Sequence, residues 1–263
     1  MHKFFVPKHN IEENIAIIDG EDVKHIYKVL RLQIGDKVSV NNCEGIEYIG
    51  EITLIDKSTV TINLIEENAI NNESPIDVYL FQGMPKSTKM DLIVQKNTEL
   101  GVKEITPIIT ERVVVKTELK EFKKVDGFKK IDGVKKIDRW NRIALEACKQ
   151  SKRSLVPKIN VPIEFDALLE QLKHMDLVVV PYENEEGYGI KKLVQNIERK
   201  DINKVAIVIG PEGGFEESEI LKLTEVGASI VTLGPRILRT ETAGFTCLSL
   251  IMYELGDLGG VSE

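Results

Sequence analysis

The chain is poor in the residues that build disulfide frameworks, metal sites and membrane spans. Its 263 residues include only three cysteines and four histidines. Cys43, Cys148 and Cys247 lie far apart without paired spacing, so neither a disulfide framework nor a zinc site is expected, and a reducing cytoplasm is the predicted compartment. No histidines have the spacing of metal ligands. No apolar run approaches the roughly 20 residues that cross a bilayer, and the opening MHKFFVP lacks the features of a secretion signal.

The common nucleotide-binding and hydrolase motifs are also missing. There is no GxxxxGK[ST], no GxGxxG after a predicted strand and no GxSxG. These absences exclude a P-loop, a dinucleotide-binding loop and a hydrolase nucleophile elbow of the usual kinds.

The charge is negative overall but unevenly distributed. The formal net charge is −7. Residues 1–73 carry 7 Lys/Arg against 13 Asp/Glu, whereas residues 112–153 carry 14 against 6. A basic segment in an acidic protein can attract nucleic-acid phosphates, although a solvated lysine-rich helix face explains it equally well.

Residues 1–70 predict a small β-rich unit. Alternating segments at 37–40, 48–55 and 59–65, separated by turn residues, indicate strands of a barrel or sandwich. A helix over 21–30 is expected to pack through Val23, Ile26, Tyr27 and Leu30. The polar stretch 66–75 predicts a linker, with 71–75 separating this unit from a second domain over 76–263.

From residue 76 the pattern changes to strands alternating with helices, which predicts an α/β domain with a mostly parallel sheet. The predicted strands are 78–81, 105–109, 177–181, 205–209 and 230–233; the predicted helices are 89–100, 140–152, 190–197, 218–226 and 242–255. Between them, residues 122–139 hold three similar hexamers, FKKVDG, FKKIDG and VKKIDR. We interpret these as an exposed expansion, because each glycine would cost a helix about 1 kcal/mol.

Two predicted strands end in Gly-Pro and together are the most informative feature of the chain. Residues 205–215 read VAIVIGPEGGF and residues 230–244 read IVTLGPRILRTETAG. Glycine and proline make such loops sharp and rigid, and the carboxyl ends of parallel strands are where α/β sheets bind ligands. Alone, GPEGG could be only a tight turn before a helix. The pair predicts one ligand held by adjacent backbone loops, such as an adenine packed by Ile209, Leu233, Ile237 and Leu238.

These two loops resemble those of the SPOUT (trefoil-knot) methyltransferases, and more narrowly the bacterial 16S rRNA (uracil(1498)-N3)-methyltransferase family. Further similar segments are MHKFFV at 1–6, HIYKVLRLQIGDKV at 25–38, MPKSTKMDLIVQKNTELGVKEITPIITER at 84–112 and RWNRIALEACKQSKRSLVP at 139–157. The resemblance implies a PUA-like or OB-like RNA-binding β-barrel followed by a knotted α/β methyltransferase domain. It also implies S-adenosylmethionine (SAM) as methyl donor, 16S rRNA of the small ribosomal subunit as substrate, and a homodimer.

The resemblance assigns the methyl donor to three adjacent loops. The cofactor-binding residues it implies are Pro181, Tyr182, Glu183, Ile209, Gly210, Pro211, Glu212, Gly213, Gly214, Leu233, Gly234, Ile237, Leu238 and Thr240. Lysines in the segment 149–153 depart from the family pattern, and the expansion at 122–139 is longer than expected.

Methylation of uracil N3 requires loss of the N3 proton and an unpaired base. A cation near the uracil carbonyls would stabilise the resulting anion, and Arg239 and Arg236 are the candidates, followed by Arg153. Each could instead form a salt bridge, with Glu212 or Glu241 as the candidate partner of Arg239. Glu241 or Glu212 could accept the proton, but capping a helix or orienting an arginine explains either residue equally well.

The predicted RNA contacts are Arg31, Lys86, Lys89, Arg112, Gln150 and Arg153. His25 is as compatible with a structural role as with an RNA contact, and Trp140 is expected in the core. Three alternatives stay open from the sequence: a SPOUT methyltransferase acting on another rRNA or tRNA site, a non-catalytic RNA-binding ribosome-assembly factor, and a small-molecule enzyme that uses another adenine cofactor.

Overall fold

The computed structural model describes residues 1–68, 72–86, 89–113 and 132–260. They form two compact units. The first contains the described residues of Met1–Glu73 together with Cys148–Val156. The second contains those of Ser74–Ala147 and Pro157–Glu263.

The first unit is one six-stranded sheet with its own hydrophobic core, as the alternating segments predict. Its strands are β1 (Lys3–Phe5), β2 (Ile11–Glu12), β3 (Ile15–Asp19), β4 (Lys37–Asn41), β5 (Glu47–Ile55) and β6 (Thr59–Asn68), in the spatial order β1-β4-β5-β6-β3-β2. Only the β1–β4 pair is parallel. Because β6 runs to Asn68, residues 66–68 belong to a strand and not to the predicted linker.

The predicted helix of this unit changes its winding halfway. It starts as α1 (Glu21–Lys24) and continues as a π-helical stretch over His25–Leu30 that ends at Arg31, with a left-handed backbone φ of 55°. Val23 and Ile26 are buried, as expected, but Tyr27 is exposed. The wider π-helical turn carries Tyr27 off the face that a regular α-helix would give it.

Strands β1, β2 and β3 were not predicted. In β3 the inward Ala16 and Ile18 alternate with the exposed Ile15 and Ile17. Because both faces are apolar, the period-two contrast on which strand prediction depends is absent.

The second unit is an α/β domain with a fully parallel sheet, and the predicted fold class is confirmed. Its strands are β7 (Asp77–Gly83), β8 (Glu104–Ile109), β9 (Lys158–Ile159), β10 (Ile163–Glu164), β11 (Leu177–Pro181), β12 (Lys204–Ile209) and β13 (Ser229–Val231). The order is β10-β8-β7-β12-β11-β13, with β9 also paired to β8. Its helices are α2 (Lys89–Glu99), α3 (Asp132–Ser151), α4 (Phe165–Leu172), α5 (Ile190–Gln195), α6 (Glu217–Glu225) and α7 (Thr240–Glu254).

The central strand β12 is buried from Val205 to Ile209, as its apolar run predicts. Leu168 and Leu172 of α4 and Leu223 of α6 belong to one core cluster with the sheet residues Val178 and Val208. Helix α7 contacts β7, β12 and α2. Helices therefore cover the sheet, as the continuous apolar strands require.

The predicted start of helix α3 is wrong, whereas the exposure expected for the third hexamer is confirmed, because its residues are exposed or half-buried. Helix α3 begins at Asp132 and includes VKKIDR, eight residues before the predicted start at Trp140. The helix tolerates Gly133 because its apolar stripe, including the buried Trp140 and Ala144, is anchored in a core. Residues 122–131 of the expansion lie outside the described residues.

Candidate functional site

Three loops lie side by side at the carboxyl edge of the parallel sheet. Strand β11 pairs with β12 on one side and β13 on the other. The loop after β11 therefore lies between the two Gly-Pro loops, which follow β12 and β13. The two Gly-Pro loops are therefore separated by one loop instead of being direct neighbours as predicted, but residues of both line the same cavity.

The loops enclose two cavities of about 560 and 330 Å³. Both are bounded by Pro181, Glu183, Ile237, Leu238 and Ala243, so they adjoin along a shared wall, and the two together are called the cleft below. The larger part is also lined by Tyr182, Leu233, Gly234 and Arg236, and the smaller by Lys89, Ile209, Gly210, Pro211, Glu212, Gly214, Arg239 and Thr240. Of the predicted cofactor-binding residues, Gly213 lies outside these walls, where its carbonyl accepts a hydrogen bond from Arg112 Nη1 at 3.1 Å.

Glycines allow the cleft loops to approach other chain segments closely. A Cβ on Gly83, at the end of β7, would overlap the backbone of Gly210 and Pro211. Gly214 has φ +69°, and a Cβ there would lie 2.5 Å from the Glu183 carboxylate. The GPEGG loop thus depends on glycine both for its backbone conformation and for the space beside Glu183.

A buried hydrogen-bond chain connects β7, the GPEGG loop and helix α7. Gln82 Nε2 donates to Thr240 Oγ1 at 2.8 Å, and Thr240 Oγ1 donates to the Gly210 carbonyl at 2.6 Å. Gln82 is fully buried and was not predicted as part of the site. Its only signal in the sequence is a polar residue at the end of an apolar strand.

Lys89, Glu212 and Glu241 form a charged group, called the Lys89 cluster below. Lys89 Nζ lies 3.2 Å from Glu212 Oε1 and 3.2 Å from Glu241 Oε2. Glu212 Oε1 also accepts a hydrogen bond from the backbone N–H of Lys86 at 3.0 Å. Lys89 is the first residue of α2, Glu212 lies in the GPEGG loop and Glu241 in the first turn of α7, so the cluster joins three elements around the cleft.

The cluster holds its ionised forms. Burial acts against the charge of Lys89, but the hydrogen bonds and charges of Glu212 and Glu241 outweigh burial and raise the pKa of Lys89. Burial likewise pushes the pKa of Glu212 upwards, and the Lys86 N–H and the Lys89 ammonium reverse this and lower it. At neutral pH the Glu212 carboxylate therefore binds a proton poorly.

Arg236 and Arg239 line the cleft without a carboxylate partner among the described residues. Both are exposed. Arg239 forms no salt bridge with Glu212 or Glu241, and both of these carboxylates lie 3.2 Å from Lys89 Nζ. The guanidinium of each arginine is available to an anion.

The predicted RNA contacts are divided between the two units. Lys86, Lys89 and Arg112 belong to the second unit, and Arg31, Gln150 and Arg153 to the first. Arg31, Lys86, Arg112 and Gln150 are exposed. Arg112 bonds to both carboxylate oxygens of Glu216, with Nε–Oε1 at 2.7 Å and Nη2–Oε2 at 3.0 Å.

The expectation of an RNA or uracil contact for Arg153 is contradicted. Arg153 is 4% exposed, and its Nη2 lies 2.6 Å from Glu73 Oε2. Glu73 Oε1 also accepts the backbone N–H groups of Ser154 and Leu155 at 2.8 and 2.9 Å. An arginine buried in such an ion pair offers no surface to a phosphate, and loss of either partner would leave an uncompensated charge inside the first unit.

Trp140 and the cysteines Cys43 and Cys148 are buried or partly buried. Trp140 is buried, as predicted. Burial raises the pKa of the Cys43 thiol to about 11 and that of Cys148 to about 12. Within the described ranges there is no group of three or more His, Cys, Asp or Glu side chains that could hold a metal ion. None of the helices described is long and apolar enough to span a membrane.

Two family descriptions match the chain. Residues 72–252 match an RNA methyltransferase domain, and residues 18–65 match an RNA methyltransferase PUA domain.

Curated relatives match over nearly the whole length. The ribosomal RNA small subunit methyltransferase E of Bacillus subtilis is 37% identical over 267 residues, covering 99% of this chain and 99% of the relative. The protein of the same name from Aquifex aeolicus is 32% identical over 259 residues, covering 96% and 99%.

Solved structures agree in fold. The ribosomal RNA small subunit methyltransferase E of Neisseria gonorrhoeae, bound to S-adenosyl methionine, has a TM-score of 0.76 and 28% identity, covering 98% of this chain and 99% of that one. A putative methyltransferase of Legionella pneumophila, in complex with the bound cofactor SAM, has a TM-score of 0.76 and 30% identity, covering 97% and 98%.

Proposed function

Because the chain belongs to the ribosomal RNA small subunit methyltransferase E family, we propose that it methylates N3 of a uracil in 16S rRNA, with SAM as the methyl donor. The target we assign is the uracil 1498 type of site in the small ribosomal subunit. The observation that carries the proposal is the cleft between three strand-end loops, with two arginines on its walls that have no carboxylate partner among the described residues.

The residues of the cleft fit SAM. Its size lies within the roughly 300–1,000 Å³ of small-molecule sites. Ile209, Leu233 and Leu238 supply apolar surface for an adenine, and backbone groups of the Gly-Pro loops supply hydrogen bonds to its edge. The Glu183 carboxylate, beside Gly214, suits a hydroxyl or ammonium group of the donor. Bound SAM supplies an electrophilic methyl group on a sulfonium.

Arg239 is the residue that we assign to the uracil. N3 can accept a methyl group only after losing its proton, which passes to solvent water, and the negative charge then spreads onto the neighbouring carbonyl oxygens. A guanidinium that faces the cleft without a carboxylate partner can donate hydrogen bonds to those oxygens and stabilise the anion. Arg236, on the wall of the larger cavity, is the second candidate for this role.

The carboxylates have a different assignment. Glu212 has a lowered pKa and is bonded to Lys89, so it is a poor acceptor for the N3 proton near neutral pH. Glu241, which lies 3.2 Å from Lys89, is assigned to orient that lysine.

The first unit is proposed to bind RNA outside the cleft. Lys24, Lys28 and Arg31 are exposed along the helical segment that ends in the left-handed Arg31. None of the three forms a salt bridge within the described part of the chain. Lys28 Nζ lies 5.7 Å from the ring centre of the exposed Tyr27, which leaves an aromatic face beside a cation, a combination suited to unpaired bases.

Lys86, Arg112 and Gln150 remain proposed RNA contacts of the exposed surface. The basic segment 112–153, of which 114–131 lies outside the described residues, would add attraction to phosphates. A homodimer, a cytoplasmic location beside the ribosome and the trefoil knot complete the proposal.

Mapping of modified nucleosides tests the function. The 16S rRNA of a strain lacking this gene should miss one 3-methyluridine, and the purified chain with SAM should restore it on isolated small subunits. Arg239→Ala should not restore it, although its melting temperature and SAM affinity should match the wild type.

Three other results would contradict parts of the proposed function. Loss of a different methylated nucleoside would contradict the uracil N3 assignment. An unchanged rRNA together with no measurable SAM affinity would favour a non-catalytic RNA-binding protein. Full activity of Arg239→Ala would remove Arg239 from the catalytic residues.

A further inference from the structure

Lys89 occupies an unusual position for a residue expected to contact RNA phosphates. Its ammonium lies between two carboxylates that belong to different elements, Glu212 of the GPEGG loop and Glu241 of α7. The side chains are largely shielded, with 30% of Lys89 and 11% of Glu241 exposed. With two anionic partners already in contact, this ammonium has little net charge to offer a phosphate.

Arg239 shares a wall with this cluster but does not join it. Arg239, Lys89 and Glu212 line the same 330 Å³ cavity. Glu241 lies two residues beyond Arg239, in the first turn of α7. Opposite charges on the wall of one cavity attract each other, so a carboxylate that has lost its lysine partner would be drawn to the Arg239 guanidinium.

We propose that Lys89 is a positioning residue that holds Glu212 and Glu241 away from Arg239, so that the Arg239 guanidinium stays free for the uracil anion. The inference rests on the proposed function of the cleft. The Lys89 cluster as a whole then keeps two carboxylates from pairing with Arg239. Two acidic residues beside a catalytic arginine would neutralise it, and the lysine removes that competition.

The protonation states agree with this role. Burial opposes the charge on Lys89, but its two carboxylate partners keep its pKa above the ordinary value, so the ammonium persists across the neutral range. The backbone N–H of Lys86 adds a second attachment for Glu212 on the side of α2, at 3.0 Å.

The test uses the full chain and changes the charges in steps. In Lys89→Met the released carboxylates should pair with Arg239, lowering kcat for uracil methylation by about tenfold or more, with SAM affinity by calorimetry within about threefold of wild type. Lys89→Arg keeps a cation and should keep most of the activity. In Lys89→Met/Glu212→Gln/Glu241→Gln no carboxylate is left to capture Arg239, and kcat should recover most of the loss.

A second readout follows Arg239 without any turnover. The NMR resonance of its Nε–Hε group, assigned through Arg239→Lys, should shift in Lys89→Met and return towards the wild-type position in the triple variant. Lys96→Met is the matched control, because Lys96 lies on the same helix and pairs only with Glu99 at 3.0 Å. It should change neither kcat nor the resonance. If Lys89→Met fails to fold, Lys89→Gln, which keeps a donor but no charge, is measured in its place.

The possible results distinguish a failure of the Lys89 inference from a failure of the proposed methyltransferase function. Unchanged kcat and an unshifted Arg239 resonance in Lys89→Met would overturn the inference while leaving the methyltransferase assignment intact. So would a triple variant as inactive as the single one, because the lysine would then act in its own right. If wild type itself methylates no uracil, the function fails, and the resonance alone decides whether Lys89 keeps Arg239 free.

Discussion

At the residue scale, the cleft depends on side chains whose partners are far away in sequence. Thr240 was expected to bind the methyl donor, but its hydroxyl is engaged internally, accepting from Gln82 and donating to Gly210. The bonded residues are separated by 158 and 30 positions. Thr240 therefore shapes the cleft by fixing the GPEGG loop against α7.

Thr240→Val should loosen this connection. The change leaves the Gly210 carbonyl and a Gln82 amide hydrogen without their partner, which should reduce the free energy of unfolding by about 1–3 kcal/mol and weaken SAM binding. Denaturant unfolding and calorimetry measure the two effects.

Two further variants serve as controls for Thr240→Val. Thr240→Ser keeps the hydroxyl and should behave nearly as wild type. Thr224→Val removes a hydroxyl that bonds the Ile220 carbonyl within α6, and should leave SAM affinity unchanged. Equal SAM affinity in Thr240→Val and wild type would contradict the proposed role of the Gln82–Thr240–Gly210 hydrogen bonds in shaping the cleft.

At the scale of elements, the site is a product of parallel strand order. Because β11 lies between β12 and β13, three loops that are separated along the chain become neighbours at one sheet edge. The loops themselves need unusual backbone conformations, and Gly234 of the β13 loop has φ +115°.

Gly234→Val should therefore abolish or strongly weaken SAM binding. A Cβ at Gly234 meets open space, so the damage comes from the left-handed backbone, which a β-branched residue adopts only at a cost of roughly 1–3 kcal/mol. The loop should move to relieve this strain. Calorimetric titration with SAM measures the loss.

Gly227→Val is the matched control. Gly227, between α6 and β13, also has a positive φ of 87° and open space around it, but it does not line the cleft. Its replacement should reduce stability comparably and leave SAM affinity unchanged. Normal affinity in Gly234→Val would remove this loop from the donor site.

The start of β12 gives a pH-dependent prediction. Asp176 Oδ2 accepts the backbone N–H groups of Asn203 and Lys204 at 2.9 and 2.8 Å, and these bonds lower the pKa of Asp176 below its ordinary value of 3.8. A carboxylate with a lowered folded-state pKa stabilises the fold above its unfolded-state pKa and loses that contribution as pH falls through the folded value.

Asp176→Asn should therefore be less stable than wild type near pH 7, with the difference shrinking below about pH 4. Urea unfolding at several pH values measures it. Asp166→Asn serves as the control, because Asp166 has only an ion pair with Lys222 at 3.9 Å, and its stability difference should stay near zero throughout. A pH-independent gap for Asp176→Asn would rule out the charged hydrogen bonds as its source.

At the scale of the whole molecule, the proposed homodimer predicts the molecular mass of the protein in solution. Each chain has a mass of 29.6 kDa. If the protein is the proposed homodimer, light scattering after size-exclusion chromatography should give about twice that mass at micromolar concentration. A single-chain mass at every concentration tested would contradict the dimer.

The sequence by itself determined the fold class, the five longer regions that form strands of the parallel sheet, and the loops that line the cleft, but not the short strands β9 and β10 or helix α4. Long apolar runs bounded by glycine and proline locate β11 and β12 to within a residue, because that pattern reports local conformation and burial together. The start of α3 was missed, since Gly133 and the lysines hide a helix that tertiary packing stabilises. Strand β3 was missed because its two faces are equally apolar.

Only the tertiary structure decided which charged residues are free. Arg153 and Arg239 look alike in the sequence, yet one is buried against Glu73 and the other faces the cleft. Lys89, expected on the surface facing RNA, is held by two carboxylates instead. The physical reason is that a salt bridge depends on distances between side chains from separate elements, and these distances exist only once the sheet has assembled.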